Sequence, residues 1–110
     1  MSLVDPQTIF EIDMPSLIID GMLSGTGIRD PDAGGYVDPN ELELSTDLVE
    51  RIARWLIDYE TAHYYQFNDE AENERLDQEG VAITRQTREQ LPGTQVDYFS
   101  NAKMRRITVA

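Results

Sequence analysis

Apolar positions change their spacing along the chain, and the changes mark the elements. Thr8-Ile9-Phe10-Glu11-Ile12-Asp13 and Leu17-Ile18-Ile19 are short, β-branched runs separated by Met14-Pro15-Ser16, a pattern that predicts two strands with a break between them. Residues 20–41 are the most turn-rich stretch, with Gly21, Gly25, Gly27, Gly34, Gly35, Pro31 and Pro39. Within it, Thr26-Gly27-Ile28-Arg29 and Tyr36-Val37 read as hairpin arms. The period then lengthens to three and four: Leu48, Ile52, Trp55, Leu56, Tyr59, Ala62 and His63 form one stripe, predicting a helix over 46–65.

The helix start is specified in several ways at once. Ser45 is an N-cap, Leu44 and Val49 are placed as a hydrophobic staple, and Asp47 and Glu50 lie at the positive end of the dipole. Asp47 with Arg51 and Glu50 with Arg54 are i,i+4 pairs on the outer side. A second helix follows from an Asn68 cap and the acidic turns Asp69, Glu70, Glu72 and Glu74. Leu76, Gly80, Ile83, Thr87 and Leu91 share its inner face, Gly80 is expected to admit the first helix closely, and Leu91-Pro92-Gly93 ends it. Thr94-Gln95-Val96-Asp97-Tyr98-Phe99, the turn Ser100-Asn101-Ala102, and Met104-Arg105-Arg106-Ile107-Thr108-Val109 complete the chain as a hairpin.

Strands at both ends of a helical pair predict an α+β fold: an antiparallel sheet from the N-terminal strands and the C-terminal hairpin, covered on one face by two helices. At 110 residues the chain is expected to be a single domain, 1–110. Leu, Ile, Val and Phe contribute 27 residues, enough to build a core despite the high charge. The longest aliphatic run, Leu17-Ile18-Ile19, is far too short for a membrane span, and no signal-peptide pattern opens the sequence, so a cytoplasmic location is expected. With no cysteine and one histidine, thiol chemistry, disulfides and Cys-based zinc sites are excluded.

Charge narrows the class of partner. The formal net charge is −12, and it is unevenly spread: residues 1–50 hold 11 acids and one base, residues 51–84 hold 8 and 3, and residues 85–110 hold 2 and 5. Such a surface repels phosphate backbones, so nucleic acid is not the expected ligand. Arg85, Arg88, Lys103, Arg105 and Arg106 form a small basic tail, available to pair with the acidic half within one chain or across a homodimer.

One local pattern bears on metal chemistry. Asp30-Pro31-Asp32-Ala33-Gly34-Gly35-Tyr36-Val37-Asp38-Pro39-Asn40-Glu41 resembles the twelve-residue calcium loop of EF-hand proteins. The resemblance implies Asp30, Asp32, Asp38 and Glu41 as carboxylate ligands, Gly35 at the sharp turn and Tyr36 as the carbonyl donor. Gly34 supplies no ligand at the fifth position, and no helix-forming stretch leads in. The competing reading is an acidic β-hairpin followed by a solvated connection, with no cofactor.

A second resemblance is broader. Gly35-Tyr36-Val37-Asp38-Pro39-Asn40-Glu41-Leu42-Glu43-Leu44-Ser45, then Leu48, Trp55, Tyr59, Glu79-Gly80 and Val96-Asp97-Tyr98-Phe99, is similar to small bacterial proteins with a Gly-x-x-Asp-Pro-x-x-Leu-x-Leu-Ser lead into a Trp-bearing helix. It spans about residues 28–107. It implies a shape and no activity.

Catalysis finds little support. His63, with Glu60 to orient it, is the only candidate for a small enzyme's general base, and an aromatic helix face more naturally holds a packed histidine. Trp55, Tyr59 and Phe67 read as core. Glu70, Glu72, Glu74, Asp77 and Glu79 fan around their helix and do not converge. The reading is therefore a small acidic, non-enzymatic protein-binding module, such as an inhibitor or toxin-neutralising immunity protein, that meets a basic protein partner through Glu72, Asp77 and Glu79.

Overall fold

The computed structural model describes residues 15–110; the strand expected at 8–13 lies outside them. Five strands and two helices follow in the order β1 (Ser16–Asp20), β2 (Ile28–Asp30), β3 (Gly35–Tyr36), α1 (Thr46–Tyr64), α2 (Glu70–Gln90), β4 (Gln95–Ser100) and β5 (Arg105–Ile107), with a 3-10 turn at Pro39–Glu41 ahead of α1. The fold is α+β, and its sheet runs β3-β2-β1-β4-β5.

The sheet is mixed, which corrects the antiparallel expectation at one pair. β1 pairs with β4 in parallel from Ser16 opposite Gln95 to Asp20 opposite Phe99, whereas the other three pairings are antiparallel. The reason is the connection: a two-helix crossover joins the two halves, and parallel neighbours need such a crossover where antiparallel ones need only a hairpin. β1 and β4 are thus interior strands, and Leu17, Ile18, Ile19 and Asp20 are all buried.

Leu17, Ile19, Ile28, Val96 and Tyr98 meet Leu48, Ile52, Trp55 and Tyr59 of α1 and Leu76 and Ile83 of α2 in one core. The Trp55 indole donates to Leu76 O at 3.0 Å and packs edge-on against Tyr59, so the largest side chain fastens one helix to the other. Gly80 has a different partner from the one expected. A Cβ there would collide with the Tyr98 ring, so this glycine admits the sheet and not the first helix.

The helix starts follow local chemistry. Ser45 accepts from Leu48 N and caps α1, while Asp69, one residue after the expected Asn68, accepts from Glu72 N and caps α2. Asp38 caps the 3-10 turn by accepting from Asn40 N, with Pro39 as the turn's first residue. The Asp-Pro-x-x-Leu-x-Leu-Ser lead is thus two caps in series, with Leu42 and Leu44 packed on the core between them. Among the described residues no helix is long and apolar enough to cross a membrane.

Candidate protein interface

The three carboxylates singled out on the second helix occupy three different environments. Glu79 takes two hydrogen bonds from Arg51, at 2.7 and 2.8 Å, tying α2 to α1, and the guanidinium holds its pKa below the ordinary carboxylate value. Glu72 is engaged by Arg75, whose guanidinium also reaches Asp58 at 2.9 Å; Arg75 lowers the Glu72 pKa as well. Asp77 is buried and so is not available to meet a partner as expected. Only 3% exposed, it accepts from Tyr98 Oη at 2.7 Å, and Lys103 Nζ covers its other oxygen at 3.3 Å. Sequence spacing could not reveal this, because Asp77 follows Leu76 at the helix's inner edge and the polar partners come from β4 and the β4–β5 turn.

Among the described residues the basic tail pairs elsewhere than with the N-terminal half. Lys103 reaches Glu74 and Asp77, and Arg88 and Arg106 approach Asp97. The acids between β2 and the first turns of α1 are left uncompensated. Asp32, Asp38, Glu41, Glu43, Asp47 and Glu50 are exposed, and none forms an ion pair among the described residues. Among the described residues neither i,i+4 pair expected on α1 forms, and Arg51 turns to Glu79 in place of Asp47. Six exposed acids without an ion pair among the described residues give this segment a field of one sign.

Residues of the calcium-loop resemblance lie in the same arc, in hairpin form. Asp30 ends β2, and its carboxylate accepts from Asp32 N at 2.9 Å and Ala33 N at 3.1 Å, closing an Asx turn. The left-handed residue is Gly34, at φ +79°, where the loop pattern would place the sharp turn at Gly35. Tyr36 lies in β3, and partial burial followed by the nearby Asp20 carboxylate pushes its phenol up to about 12. Asp38 is committed to its cap and Glu41 closes the 3-10 turn. Among the described residues no three acidic or histidine side chains gather at metal-binding distance.

His63 is a structural tie. Its Nε2 lies 3.0 Å from Gly21 O, so that nitrogen carries the proton and donates, and its ring packs edge-on against Phe67. This anchors the last turn of α1 to the end of β1. The chain then leaves the helix through Gln66 and Phe67, both left-handed at φ 57° and 56°. Burial of Phe67 against Tyr59 and His63 holds these two costly conformations.

That exit projects a feature the sequence reading missed. Ile57, Tyr64 and Tyr65 are 64%, 79% and 58% exposed, and the exposed Met22 and Leu23 of the β1–β2 loop lie beside Ile57 and Glu60. Tyr64 and Tyr65 pack edge to face at 5.0 Å. The signal was present: at 100° per residue, Ile57 and Tyr64 fall opposite Trp55, forming a second apolar stripe on α1. The surface thus combines an uncompensated acidic arc with an exposed aromatic strip, and both are features of protein recognition.

No curated protein and no solved structure matches the chain. A family model described as Serratia CdiI immunity protein-like matches residues 16–101, which run from the first residue of β1 through both helices to just past β4. The match covers well over half of the chain and nearly all of the architecture described above, and the chain belongs to the Serratia CdiI immunity protein-like family.

Proposed function

We propose that this protein is a non-enzymatic immunity module that neutralises a toxin protein in the bacterial cytoplasm by binding it, and that the toxin presents a basic surface. The observation that carries the reading is family membership across both helices and four of the five strands. The charge distribution supports a basic partner: the acids of residues 32–50 lack ion pairs among the described residues, and an unscreened field of one sign accelerates encounter with the opposite sign. His63 supports a binding role over a catalytic one, because its Nε2 is spent on Gly21 O.

The test is co-expression with toxin domains paired to members of this family. The expected result is rescue of growth by one of them, with a stable complex on co-purification. Rescue without a complex would replace the binding module with an enzyme acting on the toxin's product, and would overturn the reading.

A further inference from the structure

Among the described residues the large apolar side chains left in solvent are seven, and five of them, Met22, Leu23, Ile57, Tyr64 and Tyr65, border one continuous strip with Glu60 in its middle. Beyond Tyr65 the strip opens into a groove of about 350 Å³ between the end of α1 and the start of α2. Its polar lining offers acceptors. Asp69 and Glu72 add negative charge, although Asp69 also caps α2 and Glu72 is engaged by Arg75, and Asn73, held by donating from Nδ2 to Phe67 O at 2.8 Å, leaves a buried Oδ1 with no hydrogen-bond partner. A buried acceptor left unpaired is costly, and a ligand that brings a hydrogen-bond donor to it relieves that cost.

We propose that the strip and this groove together seat the basic partner, the groove taking one cationic side chain beside Tyr65 and the strip taking the apolar neighbours of that side chain. The inference deepens the reading above by placing the contact, and rests on the partner being a basic protein. Charge complementarity selects the occupant. Glu60 forms no ion pair among the described residues, Arg75 is already held by Glu72 and Asp58, and Arg54 lies close enough to Glu79 to lower its pKa. A guanidinium entering the groove would meet the Tyr65 ring and acceptors, while leucine-like side chains would cover Ile57 and Tyr64. The more acidic arc at 32–50 exposes only one large apolar side chain, Tyr36, against five along the strip, so it steers more than it holds.

The experiment needs no toxin. Amide chemical shifts of the full chain are followed on titration with a synthetic peptide of alternating leucine and arginine, and with one of alternating serine and arginine. The leucine-containing peptide should perturb Ile57, Tyr64, Tyr65 and Asn73 and bind at least about tenfold more tightly than its serine counterpart, with the advantage lost in Tyr65→Ser and Ile57→Ser. These side chains are exposed, so both variants should fold. Equal binding of the two peptides, or shifts centred on residues 32–50, would overturn the proposal. Self-association abolished by Tyr64→Ser would overturn it too, by assigning the strip to a second copy of the chain. Failure of toxin rescue leaves the peptide result readable, so the two claims fail separately.

Discussion

Tyr98 Oη donates a 2.7 Å hydrogen bond to Asp77 Oδ1, joining the middle of β4 to the inner edge of α2 where both residues are closed off from solvent. Tyr59 Oη lies 3.1 Å from Tyr98 Oη, extending the network to α1. Three elements therefore share one carboxylate. Asp77→Ala should cost about 1–3 kcal/mol in denaturant unfolding, because two buried hydroxyls lose their acceptor. Glu70→Ala, on the exposed face of the same helix, should change stability by less than about 0.5 kcal/mol. Equal costs for the two would show that Asp77 is not the anchor.

The same network sets an alkaline limit. Burial raises the Tyr98 pKa first, and the neighbouring Tyr59 and Asp77 add to it, so the folded protein resists ionising a phenol that titrates near 10 when unfolded. Above that pH the unfolded chain binds fewer protons than the folded one, and stability must fall as pH rises. Tyr98→Phe should start less stable at neutral pH, since Asp77 loses a donor, and show a shallower decline above pH 10. A decline of unchanged slope would assign the alkaline limb to other groups.

Arg51 and Glu79 give an acid counterpart. Arg51 lowers the folded pKa of Glu79 from an ordinary 4.5, so its contribution is complete above that value and is lost as pH falls through the folded one. Glu79→Gln should reduce stability by about 0.5–1 kcal/mol at neutral pH, the modest size reflecting partial exposure of the pair, and flatten the acid limb of a stability–pH profile. An acid limb identical to that of the parent would mean that the link between the helices does not depend on ionisation.

Legibility of the sequence followed whether the determining contacts are local. The Ser45 cap and the Leu48 to Ala62 stripe lie within one helix, and α1 emerges within a residue of its expected ends. The parallel pairing of β1 with β4 depends on partners about 80 residues apart. One clue was readable: Leu17-Ile18-Ile19 does not alternate, as befits a strand buried on both faces. Asp77 and Gly80 were assigned to the wrong surroundings for one reason, since both are explained by Tyr98, which no spacing within α2 can indicate. The aromatic strip is legible on the helical wheel, but the core stripe alone already accounts for the helix, so spacing does not single it out.

The hairpin at Asp30 to Tyr36 makes a claim about calcium. Asp30 and Asp38 already serve backbone N–H groups and Tyr36 lies in a strand, so forming a seven-oxygen cage would require breaking the turn and the cap together. Millimolar Ca²⁺ should therefore shift the unfolding midpoint no more than equal Mg²⁺. A calcium-specific rise that disappears in Glu41→Gln would restore the metal loop.

Finally, the position of the uncompensated charge predicts how association responds to mutation. Reversing Glu72 or Glu79 frees Arg75 or Arg51 from its partner, so part of the change falls on stability, whereas Asp38, Glu41 and Glu43 have no ion pair to lose among the described residues. Glu41 and Glu43 are the cleaner probes, because Asp38 also caps a turn. With the toxin partner in hand, Glu41→Lys with Glu43→Lys should slow association by about tenfold at low salt and far less at high salt, leaving dissociation nearly unchanged, because long-range steering acts on encounter and is screened beyond about 8 Å at physiological ionic strength. Tyr64→Ser and Tyr65→Ser should do the reverse, raising the dissociation rate with little effect on encounter. Stopped-flow measurement at two salt concentrations separates the two. An association rate indifferent both to salt and to the reversal at Glu41 and Glu43 would reduce the acidic arc to a device for solubility.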